Sequence, residues 1–257
     1  MSYTASALSF LLENLTKPVI FTGSQLPINT LRTDGKENLI TAVEIAAARR
    51  NDKPAVPEVC IYFESKLYRA NRTTKHHSEH FDAFRSYNFP ALAEAGIHIH
   101  YNHGAIQHPV LERPLIAHDK LCKDVAILKL FPGISKNLVE AFFHTKDLKG
   151  VVLETFGSGN ASTEKWFLDQ LIDATKRGIL IVNVTQCRSG SVDMGRYETS
   201  YDMASTQVVS GYDLTTEAAI TKLMFLLAQK GSYKDLLKKM RFPISGEMTL
   251  PDRYVVM

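Results

Sequence analysis

Cysteine is scarce in this chain: Cys60, Cys122 and Cys187 are the only three in 257 residues, and no two form a Cys-x-x-Cys pair. That pattern fits reduced thiols in a cytosolic protein better than a disulfide framework. Long apolar runs are missing too. No segment approaches the roughly 18 consecutive apolar residues of a membrane span, and the first residues lack the basic-then-apolar pattern of a signal peptide. Charge of one sign is also lacking. Thirty Lys and Arg against 27 Asp and Glu leave a formal net charge of +3, too little to argue for a nucleic-acid partner. The densest basic cluster, Lys238-Lys239-Met240-Arg241, reads as a solvated helix end. Neither a Gly-x-Gly-x-x-Gly nor a Gly-x-x-x-x-Gly-Lys phosphate loop occurs, and no His-Glu-x-x-His. The expectation is a cytoplasmic globular protein with neither membrane nor nucleic acid as partner.

What is present is an α/β rhythm, in a chain long enough for one large domain or two moderate ones. Tyr3, Ala7, Leu8, Leu11, Leu12 and Leu15 recur at helical spacing and predict a helix over 3–16. Pro18 ends it, and Val19-Ile20-Phe21 has the wholly apolar character of a buried parallel strand. A helix follows from Gly35 to Arg50, then a buried strand, Val59–Phe63. From 64 to 122 the pattern fades into a stretch rich in His, Pro and Tyr, and a domain boundary is expected near 105–122. A second α/β rhythm then begins. Strands are expected at Val125–Leu130, Val151–Leu153, Ile179–Val184 and Val208–Ser210. Helices are expected after Ser135, over Thr163–Arg177 with Gly178 as the stop, over Thr216–Lys230 and near 233–241. A loop from Thr185 to Met203 separates two of these elements. With only two convincing parallel strands, the first lobe makes a poor sheet unless it takes strands from elsewhere or part of it is missing.

Several polar turns follow buried strands, where ligands sit in parallel sheets. Thr22-Gly23-Ser24-Gln25 offers carbonyls and a hydroxyl, or is a plain strand-to-loop turn. Asp34, in Arg32-Thr33-Asp34-Gly35, either caps the following helix or braces the loop. Lys75, at the end of Asn71-Arg72-Thr73-Thr74, is a candidate proton relay or a partner that keeps a carboxylate ionised, unless the run is an exposed basic turn. Glu154-Thr155-Phe156-Gly157-Ser158-Gly159-Asn160 can aim the Asn160 amide at a polar ligand or simply make a tight turn. Cys187, after Thr185-Gln186, reads equally as a small buried residue. The histidines at 76, 77, 80, 98, 100, 103 and 108 lack metal-ligand spacing, and no metal site is expected. His98 and His100 share one face of a strand, as at a wet sheet edge.

Taken in order, TASALSF (4–10), KPVIFTGSQLP (17–27), LRTDGKENL (31–39), YRANRTTK (68–75), FPGIS (131–135), ETFGSGNA (154–161), GILIVNVTQC (178–187) and SGEMTL (245–250) resemble the bacterial-type L-asparaginases, in their cytoplasmic type I branch. The resemblance implies a two-lobed α/β amidohydrolase. Its N-terminal lobe, built on a parallel sheet and incomplete here, would span 1–115, and a smaller C-terminal α/β lobe 116–257. The implied reaction takes L-asparagine and water to L-aspartate and ammonia. A threonine nucleophile forms an acyl-enzyme, without metal or organic cofactor. Lys75 matches the catalytic lysine of the relay, Ser24 a substrate-side carbonyl, and Asn160 an asparagine that reaches a neighbouring subunit's site in a homo-oligomeric dimer or tetramer.

The family's nucleophile lies in a Thr-Gly-Gly-Thr segment, and its second threonine and aspartate in Gly-Thr-Asp-Thr. Neither string occurs in these 257 residues. The expectation is an N-terminally truncated polypeptide, inactive as written, that lacks on the order of 90 residues of a full family domain. Glu154 also stands where some type I members carry an arginine beside a regulatory asparagine site, which reverses the local charge. The competing reading is a non-catalytic protein that binds a small polar ligand or a partner.

Overall fold

Val59–Phe63 is buried along its whole length, and its alternate side chains face opposite ways. Val59, Ile61 and Phe63 pack with Ala5, Ala70 and Phe84, whereas Cys60 and Tyr62 pack with Ile45, Leu67 and Leu92. A strand with two apolar faces needs cover on both, which is why its sequence lacks polar alternation. The computed structural model describes residues 1–108, 113–194 and 206–251, and the chain divides into units at Met1–Asp119 and Lys120–Met257.

In the first unit Val59–Phe63 belongs to a five-stranded sheet ordered Ile99–Tyr101, Ala93–Ala95, Lys66–Arg69, Val59–Phe63, Val19–Phe21. The last two strands are parallel, with Val19 opposite Val59, and the remaining pairs are antiparallel. The sheet is therefore mixed, and the stretch after residue 64 supplies its antiparallel part. Glu64 and Ser65 cause the reversal: at φ +43° and +64° they make a two-residue hairpin with both central residues left-handed. His98 and His100 are exposed beside and on the edge strand Ile99–Tyr101.

The first helix spans Ser2–Leu11, not 3–16. Leu12–Glu13 leaves it to pair with Ile116–Ala117, and Asn14 at φ +60° turns the chain, a conformation asparagine tolerates. Leu15 continues the apolar spacing because it still packs on the same core. The second helix is Gly35–Ala47, shorter than expected. Ala48 is extended, and Arg49–Arg50 pairs with Lys53–Pro54.

The second unit holds a parallel sheet ordered Val125–Lys129, Gly150–Thr155, Leu180–Thr185, Val209–Ser210. Its helices start and stop on local signals. Ser135 Oγ accepts the Leu138 amide at the head of Lys136–Phe143, and Thr215 Oγ1 accepts the Ala218 amide at the head of Thr216–Ala228. Ser232 and Asp235 form a reciprocal capping box on Tyr233–Arg241. Lys165–Lys176 ends before Gly178 at φ +88°. Leu153, Ile181, Val139, Phe143, Phe167 and Leu171 fill one core cluster of this unit. The loop expected from Thr185 to Met203 lies, beyond residue 194, outside the described residues. Among the described residues no helix is long and apolar enough to cross a membrane.

Candidate functional site

The turn after Val19–Phe21 is held by a closed set of hydrogen bonds. Thr22 Oγ1 donates to the Tyr62 carbonyl at 2.9 Å, and Asn38 Nδ2 donates to the Gly23 carbonyl at 2.9 Å. The Asp34 carboxylate accepts the Gln25 amide at 3.0 Å, the Leu26 amide at 3.2 Å and Asn38 Nδ2 at 3.2 Å. Of the two readings of Asp34, bracing the loop is the one observed, since its side chain makes no cap bond on the helix it precedes. Thr33 Oγ1 completes the brace, donating to the Leu26 carbonyl and accepting the Gly35 amide, both at 3.0 Å. A Cβ at Gly35 would stand 3.1 Å from Ser24 Cβ, so glycine lets the helix start pass closely by the serine. Ser24 itself is exposed.

Lys75 lies on the short strand Thr74–Lys75, opposite Phe84 on Phe84–Arg85. It is exposed, and its ammonium is 5.7 Å from the Phe84 ring centroid. The turn that follows reaches back to the first loop: Gln25 Nε2 donates to the Ser78 carbonyl at 2.9 Å and the His80 carbonyl at 2.8 Å. That turn is closed by His77, whose Nδ1 accepts the Glu79 and His80 amides at 3.1 and 3.0 Å. His76 meets the Tyr87 hydroxyl at 2.7 Å. The histidines after Lys75 thus shape a loop. Among the described residues no three His, Cys, Asp or Glu side chains gather as a metal would need.

The 154–160 turn of the second unit is equally well braced. Phe156 and Asn160 exchange backbone hydrogen bonds of 2.9 and 2.8 Å. Thr185 Oγ1 donates to the Gly157 carbonyl at 2.5 Å and Asn183 Nδ2 to the Gly159 carbonyl at 3.3 Å. Gly159, at φ +108°, would place a Cβ 2.7 Å from Val192 Cγ1, so this position admits no side chain. Asn160 is half-buried on this frame. The Glu154 carboxylate accepts Thr216 Oγ1 at 2.5 Å and lies 3.4 Å from Lys129 Nζ. Cys187 is exposed rather than a small buried residue.

Ser24 and Lys75 therefore share the first unit, on segments joined by Gln25, while Asn160 belongs to the second. Asn38, which ties Gly23 and Asp34 and accepts the Glu64 amide at 3.2 Å, went unnoticed in the sequence. Its signal was a polar residue on the buried side of a helix.

A mixed and a parallel sheet whose parallel strands end in braced polar turns define an α/β protein, with turns of the kind at which ligands sit in such folds. The family model "Asparaginase, N-terminal" matches residues 1–107, and "Glutaminase/Asparaginase C-terminal domain" matches 124–240. L-asparaginase 1 of Escherichia coli (strain K12) is 45% identical over 253 residues, covering 98% of this chain and 72% of that protein. The 60 kDa lysophospholipase of Mus musculus is 43% identical over 252 residues, covering 98% of this chain and 43% of that protein. The crystal structure of L-asparaginase I from Vibrio cholerae superposes with a TM-score of 0.88 at 41% identity, over 97% of this chain and 73% of that one. The chain belongs to the asparaginase family and is by that kinship an amidohydrolase. These relatives do not favour the non-catalytic reading.

Proposed function

We propose that this chain serves the hydrolysis of L-asparagine to L-aspartate and ammonia. A threonine hydroxyl attacks the side-chain amide carbon, the C–N bond breaks, and ammonia leaves with the transferred proton. Water then opens the acyl-enzyme. An amide is a poor electrophile, so the reaction needs an activated hydroxyl and donors for the oxyanion, and no step requires a cofactor. In this reading Lys75 belongs to the proton relay, where its charge keeps a neighbouring carboxylate ionised. Ser24 offers its carbonyl to the substrate carboxamide. Asn160 reaches the site of a second copy, which makes the working form a homo-oligomer, dimeric or tetrameric, in the cytoplasm.

The supporting observation is the Gln25 bridge. It holds the Ser24 turn against Ser78 and His80 in the turn beyond Lys75, as a shared site would require. Neither Thr-Gly-Gly-Thr nor Gly-Thr-Asp-Thr, the segments in which the resemblance places the threonines, occurs in these residues. A polypeptide of these residues is therefore expected to release no ammonia from L-asparagine in a coupled assay. Turnover abolished by Lys75→Met in that same polypeptide would overturn this expectation, because it would place a working nucleophile inside the chain. Reading the coding DNA upstream of Met1 for an in-frame Thr-Gly-Gly-Thr is the companion observation.

A further inference from the structure

Glu64 opens the Glu64-Ser65 hairpin turn and Lys66 starts the strand beyond it. With Tyr68 on that strand they line a cavity of about 550 Å³, whose other lining includes Asp82, Arg85 and Phe89. The volume falls within the roughly 300–1,000 Å³ of small-molecule sites. All six residues belong to the first unit, and none is Ser24, Lys75 or Asn160.

The charges in this cavity are unevenly satisfied. Asp82 and Arg85 answer each other, since Arg85 donates through Nε at 3.0 Å and through Nη2 to the same carboxylate oxygen. The exposed Glu64 carboxylate and the half-buried Lys66 ammonium make no hydrogen bond or ion pair among the described residues, although the Lys66 and Arg85 charges act on Glu64 from a distance. Desolvation, and after it the Asp82 charge, pushes the Glu64 carboxyl above its ordinary range. Tyr68 is 7% exposed, yet its hydroxyl makes no hydrogen bond among the described residues. Burial pushes its pKa to about 12, so it stays a neutral O–H donor at physiological pH. That hydroxyl is open to solvent at the cavity, so a ligand's acceptor can take its bond there. Phe89 adds an apolar surface held by the Arg69 and Arg72 guanidinium groups, 4.4 and 4.9 Å from its ring centroid.

We propose that this cavity binds a small zwitterion of the α-amino-acid class with an apolar side chain. Its ammonium meets Glu64, its carboxylate meets Lys66 and accepts from the Tyr68 hydroxyl, and its side chain lies against Phe89. A simple amine would leave Lys66 unanswered and add a like charge beside it, and a simple carboxylate would do the same to Glu64. The asparagine reading is not needed for this site, and neither stands or falls with the other.

The test is calorimetric titration of the chain with L-leucine, with isoamylamine and 4-methylpentanoate as the two half-ligands. Saturable L-leucine binding is expected, with each half-ligand about tenfold weaker, the scale of one lost charge-assisted contact. Glu64→Gln and Lys66→Met should each weaken L-leucine by a similar factor, and Tyr68→Phe by several-fold. Circular dichroism confirms that each variant is folded, and Tyr68→Phe removes only one oxygen should either charge variant misfold. Absence of saturable binding through the millimolar range would overturn the proposal. So would half-ligands that bind as well as L-leucine, or folded variants that bind like the parent.

Discussion

Asp34 and Asn38 brace the turns of the candidate site together. The Asp34 carboxylate collects two loop amides and the Asn38 side-chain amide, and bonds to an ionised acceptor are stronger than neutral ones. Asp34→Asn keeps the shape but halves the acceptor capacity. It is expected to lower the unfolding free energy by about 1–2 kcal/mol, read from urea denaturation with unchanged far-UV circular dichroism. Asp82 gives a pH prediction. The Arg85 hydrogen bond is the main cause that holds its carboxyl below the ordinary range. A depressed native value contributes stability that is complete above the unfolded value, about 3.9, and is lost as pH falls through the lower native one. Asp82→Asn should therefore be less stable than the parent at pH 7, and the gap should close below about pH 4. Denaturation midpoints at both pH values check this. At this scale Ser24 and Asn160 drew attention because each lies in a polar turn after an apolar strand, and Lys75 because it closes a polar run. The Gln25 bridge was not legible, because its partners at Ser78 and His80 lie 53 and 55 residues away and accept through main-chain carbonyls that carry no residue signal.

Among the elements, Thr216–Ala228 and the closing SGEMTL stretch are joined by a fully buried ion pair, Lys222 Nζ to Glu247 Oε1 at 2.6 Å. Lys222 also donates to the Met240 and Phe242 carbonyls at 3.1 and 2.7 Å, and Glu247 accepts the Ile244 and Ser245 amides. Removing one member strands the other charge in the interior. Lys222→Met should cost about 3–5 kcal/mol, and Lys222→Met with Glu247→Gln should recover part of that loss, both measured by chemical denaturation. Element identity was readable where local chemistry decides it. Ser135 starts its helix and Gly178 follows the end of another, because each signal acts within one helical turn. The first helix was overdrawn to residue 16 because Leu12 and Leu15 keep helical spacing. What ends it is non-local: strand pairing with Ile116–Ala117, and Asn14 Nδ2 donating to the Pro114 carbonyl at 3.1 Å. The Glu64-Ser65 hairpin lacked the glycine or asparagine that marks such turns, so the antiparallel half of the first sheet had no sequence cue.

For the whole molecule, two α/β units each carry braced polar turns at the ends of parallel strands, and the chain corresponds to 72% of Escherichia coli L-asparaginase 1. The second unit's parallel sheet was legible from apolar runs alternating with amphipathic helices. The first unit was harder, because only Val19–Phe21 and Val59–Phe63 follow that rule. The central proposal is that Lys75 works with a threonine these residues do not contain. Ammonia release from L-asparagine tests it most directly, measured on the 257-residue chain and on the same chain joined behind the Thr-Gly-Gly-Thr and Gly-Thr-Asp-Thr region of Escherichia coli L-asparaginase 1. The joined form should turn over, Lys75→Met in it should cut the rate about 10²- to 10⁴-fold, and the unjoined chain should stay at the blank. A joined form indifferent to Lys75→Met, or turnover by the unjoined chain, would contradict it.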